Sequence, residues 1–118
     1  SAESIIKTDD ITGFYCSIPT VWDETRFLEG EMGDYAVVAR RAGHDWYVAA
    51  LNAGDSKQLD LDLSSLVHTG HYRAKLYYQS SAKAKDKISV KEYDRLPGKF
   101  RCNILSNSGC VLHLERQH

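Results

Sequence analysis

Tyr35-Ala36-Val37-Val38-Ala39-Arg40-Arg41, then Ala42-Gly43-His44-Asp45, then Trp46-Tyr47-Val48-Ala49-Ala50-Leu51: this stretch decides the fold class. Tyr35, Val37 and Ala39 fall on one side of an extended chain, with Ala36, Val38 and Arg40 on the other. That is the period of a β-strand. The second run is nearly all apolar and reads as a strand buried on both faces. The four residues between them have turn composition, so the pair reads as a β-hairpin.

Downstream the same grammar repeats. Asn52-Ala53-Gly54-Asp55 is a turn. Lys57-Gln58-Leu59-Asp60-Leu61-Asp62-Leu63 alternates cleanly, leucines inward and aspartates outward. Residues 64–68 connect to a turn at Thr69-Gly70. Tyr72, Ala74, Leu76 and Tyr78 then alternate with Arg73, Lys75, Tyr77 and Gln79. Residues 80–87 are small, polar and basic, and read as a loop. A short strand at 88–93 and a turn at 95–98 precede a closing hairpin, 99–105 with 110–115, around Ser106-Asn107-Ser108-Gly109. Short strands with turn signals every 8–12 residues or so indicate an all-β, antiparallel sandwich of six to eight strands, Greek-key-like.

Upstream, residues 1–18 are mixed and read as an N-terminal segment left from a connection to a preceding element. Asp9 or Asp10 would cap a short helical turn carrying Ile11 and Phe14. The domain proper then spans 19–118 and opens with Pro19-Thr20-Val21-Trp22-Asp23-Glu24-Thr25 on a loop that runs to residue 30. An aromatic ring and a proline on a non-strand segment make Pro19, Trp22, Asp23, Glu24 and Thr25 the candidates for a contact with another domain.

Composition bounds the function. The chain has 118 residues, 42% hydrophobic and 26% charged, a profile that suits one globular domain with its own core. No apolar run reaches the roughly 20 residues of a spanning helix, and no basic-then-apolar leader opens it. Net charge is −1, but residues 1–66 carry −7 and residues 67–118 carry +6. Interleaving of strands from the two halves would bring these charges together. No arginine–aromatic cluster marks a nucleic-acid surface, so neither nucleic acid nor membrane is expected as a partner.

Chemistry is thinly represented. Asp23 and Glu24 are adjacent, whereas paired sugar-cleaving carboxyls face one bond across about 5–9.5 Å. Adjacent side chains of an extended chain point apart, so a loop carboxylate accepting nearby backbone N–H groups is the expectation. Asp55, Asp60 and Asp62 lack a calcium-loop pattern. The five histidines show no zinc spacing, and no cofactor is expected in this chain. Cys16, Cys102 and Cys110 make an odd count, so at least one thiol is unpaired within the chain. With Ile104 opposite Cys110 in the expected closing hairpin, Cys102 and Cys110 are diagonal neighbours about 7 Å apart or more, beyond the usual span of a disulfide. A register shifted by two would set them directly opposite, so a bond is disfavoured but left open, and core thiols are the expectation. Most of the aromatics suit a core or an interface; Tyr77 points away from its apolar neighbours and is the candidate for stacking on a sugar.

The run IPTVWDETRFLEG (18–30) and the following GDYAVVARRAGHDWYVAALN resemble the C-terminal domain of family-97 glycoside hydrolases. Trp22 to Thr25, Arg40, Trp46 and Tyr47 carry the resemblance, and GHYRAKLYYQ (70–79) continues it. Where the family has an aspartate–glycine turn after that strand, this chain has Gln79-Ser80-Ser81. The resemblance implies a parent α-glucosidase or α-galactosidase exported to the periplasm, with its catalytic glutamates and a calcium ion in other domains. It implies that this domain packs on the catalytic barrel and supports oligomerisation. A carbohydrate-binding module is the alternative.

Overall fold

The computed structural model describes residues 3–8, 18–68, 70–79, 81, 83, 88–96 and 98–118. Among them are nine strands: β1 (Glu3–Thr8), β2 (Glu24–Glu31), β3 (Tyr35–Ala42), β4 (Asp45–Asn52), β5 (Lys57–Asp62), β6 (Tyr72–Tyr78), β7 (Ile88–Tyr93), β8 (Lys99–Ile104) and β9 (Ser108–Arg116). One short helix, α1 (Ser64–Val67), follows β5. Seven strands form one antiparallel sheet in the order β1-β7-β6-β9-β4-β3-β2, and β5 pairs with β8 in a second sheet. The expected all-β antiparallel sandwich is the observed class. The cap at Asp9 or Asp10, and Cys16, lie outside the described residues.

The hairpin read from 35–51 forms as expected, with Ala42 opposite Asp45. Gly43 occupies the first turn position at φ 63°, where a type II′ turn calls for glycine. The expectation that β4 is buried on both faces is corrected. Trp46, Val48 and Ala50 are buried, but Tyr47 and Ala49 are half-buried and Leu51 is exposed.

The closing hairpin is also corrected. β8 does not pair with β9; it pairs with β5, Cys102 opposite Leu59. The chain crosses between sheets at 105–107, where Asn107 adopts φ 55°, and β9 inserts between β4 and β6. Alternation alone cannot tell a hairpin from such a crossing, because both keep the apolar residues facing one interior. The cysteine conclusion survives by another route. Cys102 and Cys110 are buried free thiols that meet across the interior from opposite sheets. Hydrogen bonding to Cys102, together with burial, pushes the Cys110 thiol up.

The core lies between the sheets. Val37, Ala39, Trp46, Val48, Ala50, Leu112 and Leu114 come from the large sheet, Leu59, Leu61, Phe100 and Ile104 from the small one, and Leu63 and Leu66 from the α1 region. Tyr93 meets Phe100 edge-on at 5.3 Å across the gap. One polar side chain sits at the corner where β4 leaves for β5. Asn52 is 3% exposed, donates to the carbonyls of Asp55 (2.9 Å) and Leu105 (3.1 Å), and accepts from Gly54 N–H (3.0 Å) and Lys57 Nζ (2.7 Å). It thereby clamps both inter-sheet crossings, since a buried amide is tolerated only when satisfied.

Charge complementarity between the halves is partial. Arg101–Asp60 (2.7 Å) is an ion pair that joins them, and His113 meets Asp45 across the halves as a hydrogen-bonding partner (3.1 Å), whereas Arg41–Glu24, Lys57–Asp34, Arg73–Asp94 and Lys75–Glu92 close within one half.

Three outcomes follow. Leu114→Ala empties a fully buried position on the central strand and should cost about 2–5 kcal/mol in denaturant unfolding. In a Cys16→Ser background, Ellman's reagent should titrate no thiol in the native chain and two after unfolding in guanidinium. Arg101 holds the Asp60 carboxyl below its ordinary value, so its stabilisation is present above about pH 4 and is lost as pH falls through the lowered value. Asp60→Asn should therefore lower the melting temperature at pH 7 and converge with the parent near pH 2.

Candidate functional site

Residues opposite each other in a sheet share a face, so the register defines what the large sheet shows on the side away from the core. One row runs Phe27–Val38–Ala49–Val111–Tyr77–Val90, apolar across six strands but for the Tyr77 hydroxyl. Beside it lies Gly30–Ala36–Leu51–Gly109. On the other side the row is polar: Thr25–Arg40–Tyr47–His113–Lys75–Glu92. The outer face is thus split, apolar towards the β2–β3 turn and charged towards the β3–β4 turn. An antiparallel sheet usually turns a polar face to water, so the apolar half is the unusual feature.

The segment expected as a loop through residue 30 is a strand from Glu24 onward. β2 is an edge strand with an irregularity between Phe27 and Glu29. It breaks simple alternation because charged residues point to the core side. Arg26 lies 4.9 Å over the Trp46 ring and 2.5 Å from Glu24, which also takes Arg41 at 3.4 Å. Arg26, backed by Arg41, holds the Glu24 carboxyl below its ordinary value. Tyr35 donates to Glu29 at 2.7 Å, and that bond pushes the phenol up to about 12. Bulges and inward charges are the usual protection of a sheet edge against adding another strand.

Asp23 and Glu24 do not act as a pair. Asp23 accepts the Gly43 N–H at 2.8 Å, and its own N–H donates to the Arg41 carbonyl at 2.8 Å. The expected backbone acceptor role holds, but the donor is the β3–β4 turn rather than the local loop. Pro19 is half-buried and Thr25 is exposed on the outer face. Trp22 meets Tyr47 edge-on at 5.4 Å, with the Arg40 guanidinium 5.9 Å from its ring. Together with Ile18, Val38, Ala49 and Val111, Trp22 and Tyr47 line a depression of about 260 Å³.

Tyr47 and His113 stack at 4.3 Å, 8° from parallel, and His113 Nε2 lies 3.1 Å from Asp45. Each ring turns a face to the other, and side chains of paired strands stand off the sheet, so the stack presents edges outward rather than a platform for a sugar. Tyr77 is on the outer face as expected, half-buried in the apolar row. Sequence reasoning did not find Phe27, Met32 and Leu51, which are exposed; the cross-strand register is the signal that unites two of them. Among the described residues, no group of three or more His, Cys, Asp or Glu side chains converges to hold a metal.

Residues 21–115 match the family described as "Glycosyl-hydrolase 97 C-terminal, oligomerisation". A retaining α-galactosidase of Bacteroides thetaiotaomicron is 41% identical over 61 residues, 52% of this chain and 9% of that protein. A probable retaining α-galactosidase of Streptomyces bingchenggensis is 37% identical over 51 residues, 43% of this chain and 8% of that protein. The crystal structure of a β-arabinopyranosidase superposes with TM-score 0.71 at 32% identity, over 88% of this chain and 17% of the other. A family-97 glycoside hydrolase from Pseudoalteromonas sp. strain K8, in complex with panose, shares the fold at TM-score 0.76 and 21% identity, over 92% of this chain and 18% of the other. The chain thus spans less than a fifth of each of these relatives, and it belongs to the family of glycoside hydrolase 97 C-terminal oligomerisation domains.

Proposed function

We propose that this chain is the accessory module of an exported α-galactosidase-type or α-glucosidase-type enzyme, seated on that enzyme's catalytic barrel and holding its subunits together. The observation that carries the reading is the split outer face. Phe27, Val38, Ala49, Val111 and Tyr77 give an apolar row, exposed at Phe27 and half-buried at the other four, on a face that a solitary antiparallel sheet would turn to water; Val90 at its far end is already buried. The segment with Pro19 and Trp22, beside the Trp22–Tyr47 depression, is the surface we assign to the barrel. Cleavage of the glycosidic bond, and any calcium ion that assists it, belong to the other domains. A sugar-binding role is less well supported, because the Tyr47 and His113 faces are turned to each other.

The reading is tested on the protein at its natural length and on a version lacking these 118 residues. Intact protein should hydrolyse nitrophenyl α-galactoside or α-glucoside and sediment as an oligomer. The shortened one should sediment as smaller species. The 118-residue chain alone should neither hydrolyse these substrates nor give a saturable titration with galactosides or maltooligosaccharides. Hydrolysis by the chain alone, or an unchanged oligomer after deletion, contradicts the proposal, as does periplasmic fractionation that finds the protein in the cytoplasm.

A further inference from the structure

We infer that Cys102 and Cys110 are a redox pair. They close into a disulfide between the two sheets when the chain folds in contact with a disulfide oxidant, and stay as thiols when it folds without one.

Both side chains are in the core, 5% and 8% exposed. Cys102 stands on β8 opposite Leu59, and Cys110 on β9 between Ala50 and Tyr78. They come from different sheets, yet each thiol is within hydrogen-bonding reach of the other. The crossing is the reason. Only residues 105–107 separate the end of β8 from the start of β9, and Cα atoms of the two strands approach within 8 Å. Facing sheets otherwise stand about 10 Å apart. A disulfide spans about 4.4–6.8 Å between Cα atoms, so a pinched place between the layers is where one fits. Buried disulfides between the two sheets of a sandwich have precedent in antibody domains. A single buried thiol acts as a small apolar side chain; two in contact can also give up two electrons.

Oxidation balances as thiol–disulfide exchange. One cysteine thiolate attacks the disulfide of the oxidant, oxidised glutathione or a disulfide oxidoreductase. A mixed disulfide forms and one oxidant sulfur leaves. The second cysteine thiolate attacks the mixed disulfide, and the other oxidant sulfur leaves. The two cysteine protons end on the two leaving sulfurs, and the oxidant takes the two electrons. Burial keeps an oxidant out of the finished core, so the bond forms while the sandwich closes. Once formed, it pins β8 to β9, the strand that joins both parts of the large sheet.

The test produces the natural-length protein twice in one bacterial host, in the reducing cytoplasm and, behind a secretion signal, in the oxidising periplasm. Soluble protein from each is unfolded without reductant, alkylated and cut with trypsin. Both cysteines fall in one fragment, 102–116. From the periplasm that fragment should be unalkylated and two hydrogens lighter; from the cytoplasm it should carry two alkyl groups. Dithiothreitol should then reduce the bond at least about 100-fold more slowly in the folded protein than in guanidinium, because access limits exchange. Two alkyl groups on the periplasmic fragment overturn the inference, as does a cross-link from it to Cys16 or to glutathione. Equal reduction rates in folded and unfolded protein contradict a bond inside the core. A bond in the cytoplasmic sample contradicts the dependence on an oxidant.

Discussion

The pairing of β9 with both β4 and β6 is the constraint on which the rest of the molecule depends. Seven positions tie it to β4 and seven to β6. Without it the large sheet would fall into two pieces, β1-β7-β6 and β4-β3-β2. The same strand supplies Cys110, Leu112 and Leu114 to the core and Val111 and His113 to the outer face. A slip of one residue would exchange these sets, so burying the leucines fixes the register, and the register fixes what the outer face displays. The strand is also among the last in the chain, so the sheet is completed by contacts of long sequence separation, the slow kind to form.

Around that axis the molecule manages its polar groups locally. Asn52 satisfies the backbone at the crossing into β5 and at the return from β8, the two places where the chain leaves one sheet for the other. At the β2 edge the core is closed by Arg26 over Trp46 and by the carboxylates of Glu24 and Glu29. An edge closed this way discourages a further strand and directs association elsewhere.

The functional consequence is an asymmetry between the two faces of one sheet. The inner face is covered by β5, β8 and α1; the outer face carries an apolar half and a charged half. Catalysis needs groups that converge on a reacting bond, and here the carboxylates diverge: Asp23 onto a turn, Glu24 onto two arginines, Asp60 onto Arg101. Such a surface suits holding other surfaces together, which is the role named for the family to which the chain belongs.

The sequence by itself determined the class of fold, the seven strands that alternate or run apolar, and the resemblance carried by residues 18–52. Alternation records which residues face an interior, and those strands face one. β2 was missed because, as a sheet edge, it is irregular and turns charges inward. The β8–β9 hairpin was misread because alternation carries no information about which strand lies alongside. The outer face was hidden for the same reason: Phe27, Val38, Ala49, Tyr77 and Val111 are scattered between residues 27 and 111, and only the register sets them in one row. Local chain chemistry decides whether a segment is a strand; partner choice is a property of the whole packed core, and the surface for association exists only once that choice is made.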